Sequence, residues 1–223
     1  MIIPYGTPEW YDAKLGVPSA SNFHKLFTPG GKASKAETTR TYMLQLIAER
    51  LLGISSEKEV QVLMMERGKL LESAAARQFR ENYYDLDEGG FYFNEQLKAG
   101  CSPDAIVSGK PEAVEIKCPD AHTLIGYHLD GLGTDYRPQV QGQILVGNYK
   151  CVHFYAWHPR CPPFYMCTLP DFEYIEGLRK ALATFTTTLE SDVVKARQYG
   201  IFLPVAAPPS QDEPDAVNIL QAG

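Results

Sequence analysis

No Cys-x-x-Cys pair occurs in this chain, and its five cysteines (101, 118, 151, 161 and 167) are odd in number. In 223 residues, this pattern argues against a disulfide framework and against a structural zinc site. It fits a reducing cytoplasm in which thiols are packing residues. No apolar run approaches the roughly 20 residues of a membrane span. The opening "MIIPYGTPEWYDAKLG" lacks a basic stretch followed by an apolar one, so no signal peptide is expected. An excess of base is also missing. The formal charge of −6 argues mildly against a nucleic-acid partner. The charge is segregated, however. Residues 14–40 hold Lys14, Lys25, Lys32, Lys35 and Arg40 against Glu37 alone, while the tail holds Asp212, Glu213 and Asp215 with no base. A basic N-terminal surface on an acidic protein and a merely solvated face both remain open.

What is present describes one medium-sized domain, with 44% hydrophobic residues and no internal repeat. Thr7, Pro8 and Gly16 mark the start and exit of a short helix. A second helix is expected over "SASNFHKLF", capped by Ser19, followed by the loop "TPGGKAS". Tyr42, Met43, Leu46, Ile47 and Leu51 predict a helix from Ser34 to Leu52, ended by Gly53. Another is expected over about residues 64–84. "GGFYFNEQLKAGCSPDAIVSGKPEAVEIKCP" reads as a small antiparallel meander. "HTLIGYHLDG" and "RPQVQGQILVG" read as short helices, "KCVHFYAWHP" and "PFYMCTL" as strands. Residues 171–198 form a closing helix capped by Asp171. The whole is a mixed α/β domain, spanning residues 1–203. Residues 204–223, Pro-rich and acidic, are expected to form an extended or mobile tail.

The chemistry concentrates in "CSPDAIVSGKPEAVEIKCPD", residues 101–120. Gly109-Lys110-Pro111 is a turn between two strand-like runs. Strand alternation sends Glu115 and Lys117 one way and Val114, Ile116 and Cys118 the other. The apolar set takes the core, leaving Glu115 and Lys117 on the open side of the sheet. Pairing around the turn brings Asp104 nearly opposite Ile116, where Asp104 and Glu115 can share a cation. Two carboxylates and the Ile116 carbonyl supply the hard oxygens that Mg²⁺ prefers. An adjacent ammonium can orient water and stabilise charge on a phosphorane-like transition state. Gln139 and Gln143, one helical turn apart, can face the same place. Glu72 on an upstream helix offers a third carboxylate. The same spacing also suits an ordinary solvent-facing hairpin.

These residues resemble the core of the phage lambda-type 5′→3′ exonucleases, the YqaJ-like branch of the PD-(D/E)xK nuclease superfamily. "EWYDAKLGVPSASNFHKL", "RGKLLESAAARQF" and "RPQVQGQILV" resemble three further motifs of that family, in the expected order. The resemblance implies a restriction-endonuclease-like core, a central mixed β-sheet flanked by helices. It implies catalysis by Glu72, Asp104, Glu115 and Lys117. Asp104, Glu115, the Ile116 carbonyl and Glu72 would hold Mg²⁺, for which Mn²⁺ can substitute, and Lys117 would position the attacking water. Lys14, Ser21, Ser102 and Gln139 would form a pocket for a 5′-terminal phosphate. The prototype of the family has an arginine where Lys14 stands, so the bidentate fork is lost there.

The implied substrate is linear double-stranded DNA with 5′-phosphorylated ends, cut to mononucleotides to leave 3′ overhangs for a single-strand annealing partner. A ring-shaped homotrimer and a phage or prophage protein in the bacterial cytoplasm, with no membrane association, are implied as well. Lys32, Met65 and Gln143 are further candidates for DNA contact. Met65, with Met64, falls in the region where the family's prototype uses an apolar side chain to split the duplex. An endonucleolytic or structure-specific member of the superfamily and a non-catalytic DNA-end-binding protein are the alternatives. The five histidines show no ligand spacing and read as structural. Cys151, Cys161 and Cys167 lack the upstream cysteine that iron–sulfur nucleases of the superfamily require.

Overall fold

The structure, a computed structural model, describes residues 2–55 and 62–200, with the backbone alone for residues 62–70. In chain order the elements are β1 (Ile3–Pro4), α1 (Pro8–Lys14), a 3₁₀ helix (Ala20–Lys25), α2 (Glu37–Leu52), α3 (Val62–Asn82), β2 (Leu86–Glu88), β3 (Gly90–Asn94), β4 (Ala99–Cys101), β5 (Ala105–Val107), β6 (Glu112–Lys117), α4 (Ala121–Asp130), α5 (Arg137–Gly147), β7 (Cys151–His158), β8 (Cys161–Thr168) and α6 (Phe172–Arg197).

Local chemistry explains the element ends. Thr7 caps α1 by accepting from the Trp10 N–H at 3.2 Å, and Asp171 caps α6 by accepting from the Tyr174 N–H at 3.0 Å. Gly53 ends α2 in the left-handed conformation. The stretch after Ser19 winds as a 3₁₀ helix of six residues, and Ser19 makes no side-chain cap bond there. Its first strand-like contact is a bridge from Ser19 to Gly100. α2 begins at Glu37 instead of Ser34, because Ser34 is tied back by its N–H to the Leu26 carbonyl.

The expected meander divides between two sheets. One has the order β1-β3-β4, the other β2-β5-β6-β7-β8. The five-stranded sheet is mixed: β6 and β7 are parallel, the other pairs antiparallel. A parallel pair needs a crossover, and α4 and α5 supply it. Strand alternation then builds two cores. Ala113, Val152, Phe154 and Ala156 face the larger one, which takes in Val140 and Ile144 of α5 and Leu178 and Leu182 of α6. Val114, Ile116 and Tyr155 face the smaller one, with Ala75 and Phe79 of α3. Phe79 is fully buried. Truncating it to alanine would cost about 3–5 kcal/mol. The mixed α/β architecture expected from the sequence is the one observed.

α5 is buried almost all round. Gly142 permits this, since a Cβ there would strike the Phe23 ring and Ala20 of the 3₁₀ helix. Among the described residues no helix is long and apolar enough to cross a membrane. The proposed tail, and the boundary at residue 203, lie outside the described residues.

Candidate active site

The β5–β6 hairpin sets the register. Ala105 pairs with Val114 and Ile106 with Ala113, which carries Asp104 to the level of Glu115 and Ile116. The Asp104 N–H donates to the Val114 carbonyl at 3.0 Å, and the Ile116 N–H donates to Asp104 Oδ2 at 2.6 Å. Asp104 is thereby clamped across the hairpin by main chain on both its ends.

Glu115 departs from the sequence expectation in one respect. It does point away from Val114 and Ile116, but that face of the sheet is covered by α5, and Glu115 is only 2% exposed. A carboxylate so deep must be satisfied by hydrogen bonds. Gln139 Nε2 donates to Oε1 at 2.6 Å and Gln143 Nε2 to Oε2 at 2.5 Å. Lys117 Nζ lies 2.5 Å from Oε1. Three of the roughly four lone-pair sites of the carboxylate are thus engaged. The helical spacing of Gln139 and Gln143 and the strand spacing of Glu115 and Lys117 meet at one group.

Burial alone would lower the Lys117 pKa. The carboxylates of Glu115 and Asp104 outweigh it and hold the ammonium above its ordinary range. Its Nζ also lies 5.9 Å from the centre of the Tyr136 ring. Asp104 behaves oppositely. The residue as a whole is exposed, yet protein crowds its carboxyl, and the crowding governs its ionisation. Desolvation, then repulsion from Glu115, raise its pKa; Lys117 and the Ile116 N–H pull it down, and Glu72 adds further repulsion.

Asp104, Ile116, Glu72 and Ser102 line one cleft of about 440 Å³. Glu72, on α3, is exposed. The Ser102 hydroxyl is buried and has no hydrogen-bond partner among the described residues. Asp104, its pKa raised by burial and by the neighbouring Glu115 and Glu72 carboxylates, offers with Ile116 of the same cleft the kind of oxygen ligands that a hard divalent cation takes. The residues present fit such an ion.

The remaining candidates are scattered. Lys14 lies with its ammonium 4.0 Å from the Trp10 ring centre. Ser21 is exposed, its hydroxyl 3.1 Å from that of Ser19. The Ser19–Gly100 bridge brings that segment beside β4, two residues from Ser102. Lys32 is exposed in a loop closed by the Thr28 hydroxyl, which accepts its N–H at 3.1 Å. The Met65 side chain lies outside the described residues.

Sequence reasoning missed Glu88 and Gly89. Both line the cleft. A Cβ on Gly89 would collide with the Pro103 carbonyl and the Asp104 main chain, so only glycine lets the end of β2 pass this close. The signal was the Gly89-Gly90 pair, which reads from sequence as a turn and no more.

The model of the YqaJ-like viral recombinase domain matches residues 9–150. The chain belongs to that family. An alkaline exonuclease (LHK-Exo) from Laribacter hongkongensis is 28% identical, with a TM-score of 0.75 over 86% of this chain and 97% of that one. The same figures hold for its complex with dAMP. A phage-related exonuclease from Haemophilus somnus 129PT, 13% identical with a TM-score of 0.63, covers 81% of this chain and 96% of that one, and shares the fold. No curated protein matches the chain. The nuclease-type core of the YqaJ-like family is therefore the frame on which Asp104, Glu115 and Lys117 sit.

Proposed function

We propose that the protein is an Mg²⁺-dependent exonuclease that degrades the 5′-ended strand of linear double-stranded DNA. The observation that carries this reading is the pairing of two unlike carboxylates. Glu115 is held rigid by Gln139, Gln143 and Lys117, and Asp104 stands beside it on an acidic cleft. The similar alkaline exonuclease LHK-Exo, solved also in complex with dAMP, supports it.

Asp104, Glu115, the Ile116 carbonyl and Glu72 would hold the Mg²⁺, which supplies charge neutralisation and a water of lowered pKa. Mn²⁺, equally at home among oxygen ligands, would substitute. Lys117, kept charged by its two acidic neighbours, orients the attacking water and stabilises the charge developing on the phosphoryl oxygens. Gln139 and Gln143 act through Glu115 by fixing its rotamer. Ser102 donates its hydroxyl to a phosphate oxygen of the DNA. With Lys14, Ser21 and Gln139 it would seat the 5′-terminal phosphate, which fixes the register of the cut. Lys32 would add a further DNA contact, whereas Gln143, expected from the sequence to touch DNA, is buried against Glu115 and cannot. A homotrimeric ring would let few basic residues per subunit act together on an acidic protein. The single-stranded 3′ overhang would pass to an annealing recombinase in the cytoplasm of the bacterial host. One domain over residues 1–203 would carry all of this.

The test is a linear duplex labelled at its 5′ end in one reaction and at its 3′ end in another. The 5′ label is expected to appear at once as mononucleotide, while the 3′ label stays in long single strands. Release of both labels at equal rates, or equal cutting of closed circles, would point to an endonuclease instead.

A further inference from the structure

On the opposite face of the same sheet, three strands deliver a second set of ligand groups. Alternation places Cys151 and His153 side by side on β7, and antiparallel register sets Cys167 of β8 across from His153. Parallel register sets Glu112 of β6 across from Cys151. Cys151 Sγ lies 3.5 Å from His153 Nε2, and Glu112 Oε2 lies 3.0 Å from the same nitrogen. One ligand atom from each of Cys151, His153 and Cys167 falls within 4.8 Å of the others, the single such group of three among the described residues.

We propose that Cys151, His153, Cys167 and Glu112 form a structural site for a thiophilic divalent cation of the Zn²⁺ type. The spacing fits. Bonds of about 2.3 Å to sulfur and about 2.0 Å to nitrogen at a tetrahedral angle put the two ligand atoms about 3.5 Å apart. The other ring nitrogen, His153 Nδ1, is 2.9 Å from the Tyr165 hydroxyl. That contact turns Nε2 towards the cluster, the outer contact expected of a ligating histidine. Glu112 also meets Lys110 at 4.0 Å. Two thiolates and a carboxylate, set against a dication and the Lys110 ammonium, leave the centre neutral.

The donor set also separates this site from the catalytic cleft, since thiolates select Zn²⁺ and carboxylate oxygens select Mg²⁺. At about 3.3 Å per strand residue, Glu112 lies about 16 Å along β6 from Lys117. The ion would tie β6, β7 and β8 together at the end of the sheet remote from the reaction. Sequence spacing gives no warning, because the ligands come from three strands and no Cys-x-x-Cys exists. Cys167 is exposed and gives the ion its way in, while Cys151 and His153 are buried.

The experiment is titration of the reduced full-length protein with Co²⁺, read by absorption. One equivalent is expected to give thiolate-to-cobalt charge-transfer bands and intense tetrahedral visible bands, both erased by one equivalent of Zn²⁺. The bands are expected to persist in Asp104→Asn. In Cys167→Ser, which changes an exposed side chain and keeps the fold, they are expected to vanish, with affinity weaker by at least about 100-fold. Absence of charge-transfer bands in the wild-type protein, or their survival in Cys167→Ser, would overturn the assignment. Loss of exonuclease activity has no bearing on this readout, so the two readings stand or fall separately.

Discussion

Asp104 and Glu115 face each other across one hairpin, yet they live in different surroundings. Glu115 is buried, clamped by two amides and an ammonium. Asp104 opens on the cleft, takes one main-chain N–H, and is burdened by the charges of Glu115 and Glu72. The first is organised by the fold alone. The second is held at a raised pKa, so that a proton or a cation relieves its crowding. The difference teaches how such a site is divided: the fold fixes the rigid half, and the proposed ion would complete the other.

Several substitutions would break or sharpen that contrast. The largest effect is expected from Lys117→Ala, with hydrolysis down about 10²–10³-fold and DNA binding retained; single-turnover rates alongside a binding titration measure both. Near-normal rates would remove Lys117 from the chemistry. Gln143→Leu strips a buried carboxylate of one donor. A stability loss of about 2–3 kcal/mol in denaturant unfolding is expected, together with a slower reaction at unchanged KM. Gly89→Ala should act on the other half by displacing the Asp104 main chain. Overpacking of this kind costs about 1–3 kcal/mol, and metal affinity should fall further than in Gln143→Leu. Lys14→Ala should slow digestion of 5′-phosphorylated ends about tenfold relative to 5′-hydroxyl ends, the value of roughly one charge-assisted hydrogen bond. The smallest effect belongs outside the site. Asp171→Ala removes the α6 cap and should cost about 1 kcal/mol with activity unchanged.

Much of this was legible in the sequence because it depends on period. Alternation along 114–118 separates Glu115 from Ile116, and the four-residue spacing of Gln139 and Gln143 puts both amides on one helix face. Caps at Thr7, Gly53 and Asp171 follow from side-chain chemistry within a few residues. What escaped depends on distant pairing. Glu115 reads as solvent-facing until α5 is laid over the sheet. The meander reads as one sheet because nothing within it says that β3 and β4 turn away to pair with β1. Glu88, Gly89 and the ligand set around His153 come together only when strands from separate parts of the chain are placed side by side.

The most direct test of the central claim is hydrolysis of a 5′-phosphorylated linear duplex by chelator-treated protein, with and without added Mg²⁺. Asp104→Asn and Glu115→Gln are assayed in parallel. The account predicts no hydrolysis without the ion, recovery on its addition, and a rate at least about 10³-fold lower in either variant, the scale of catalysis that a bound metal supplies. Full-rate hydrolysis by the metal-free protein, or wild-type rates in Asp104→Asn, would contradict it.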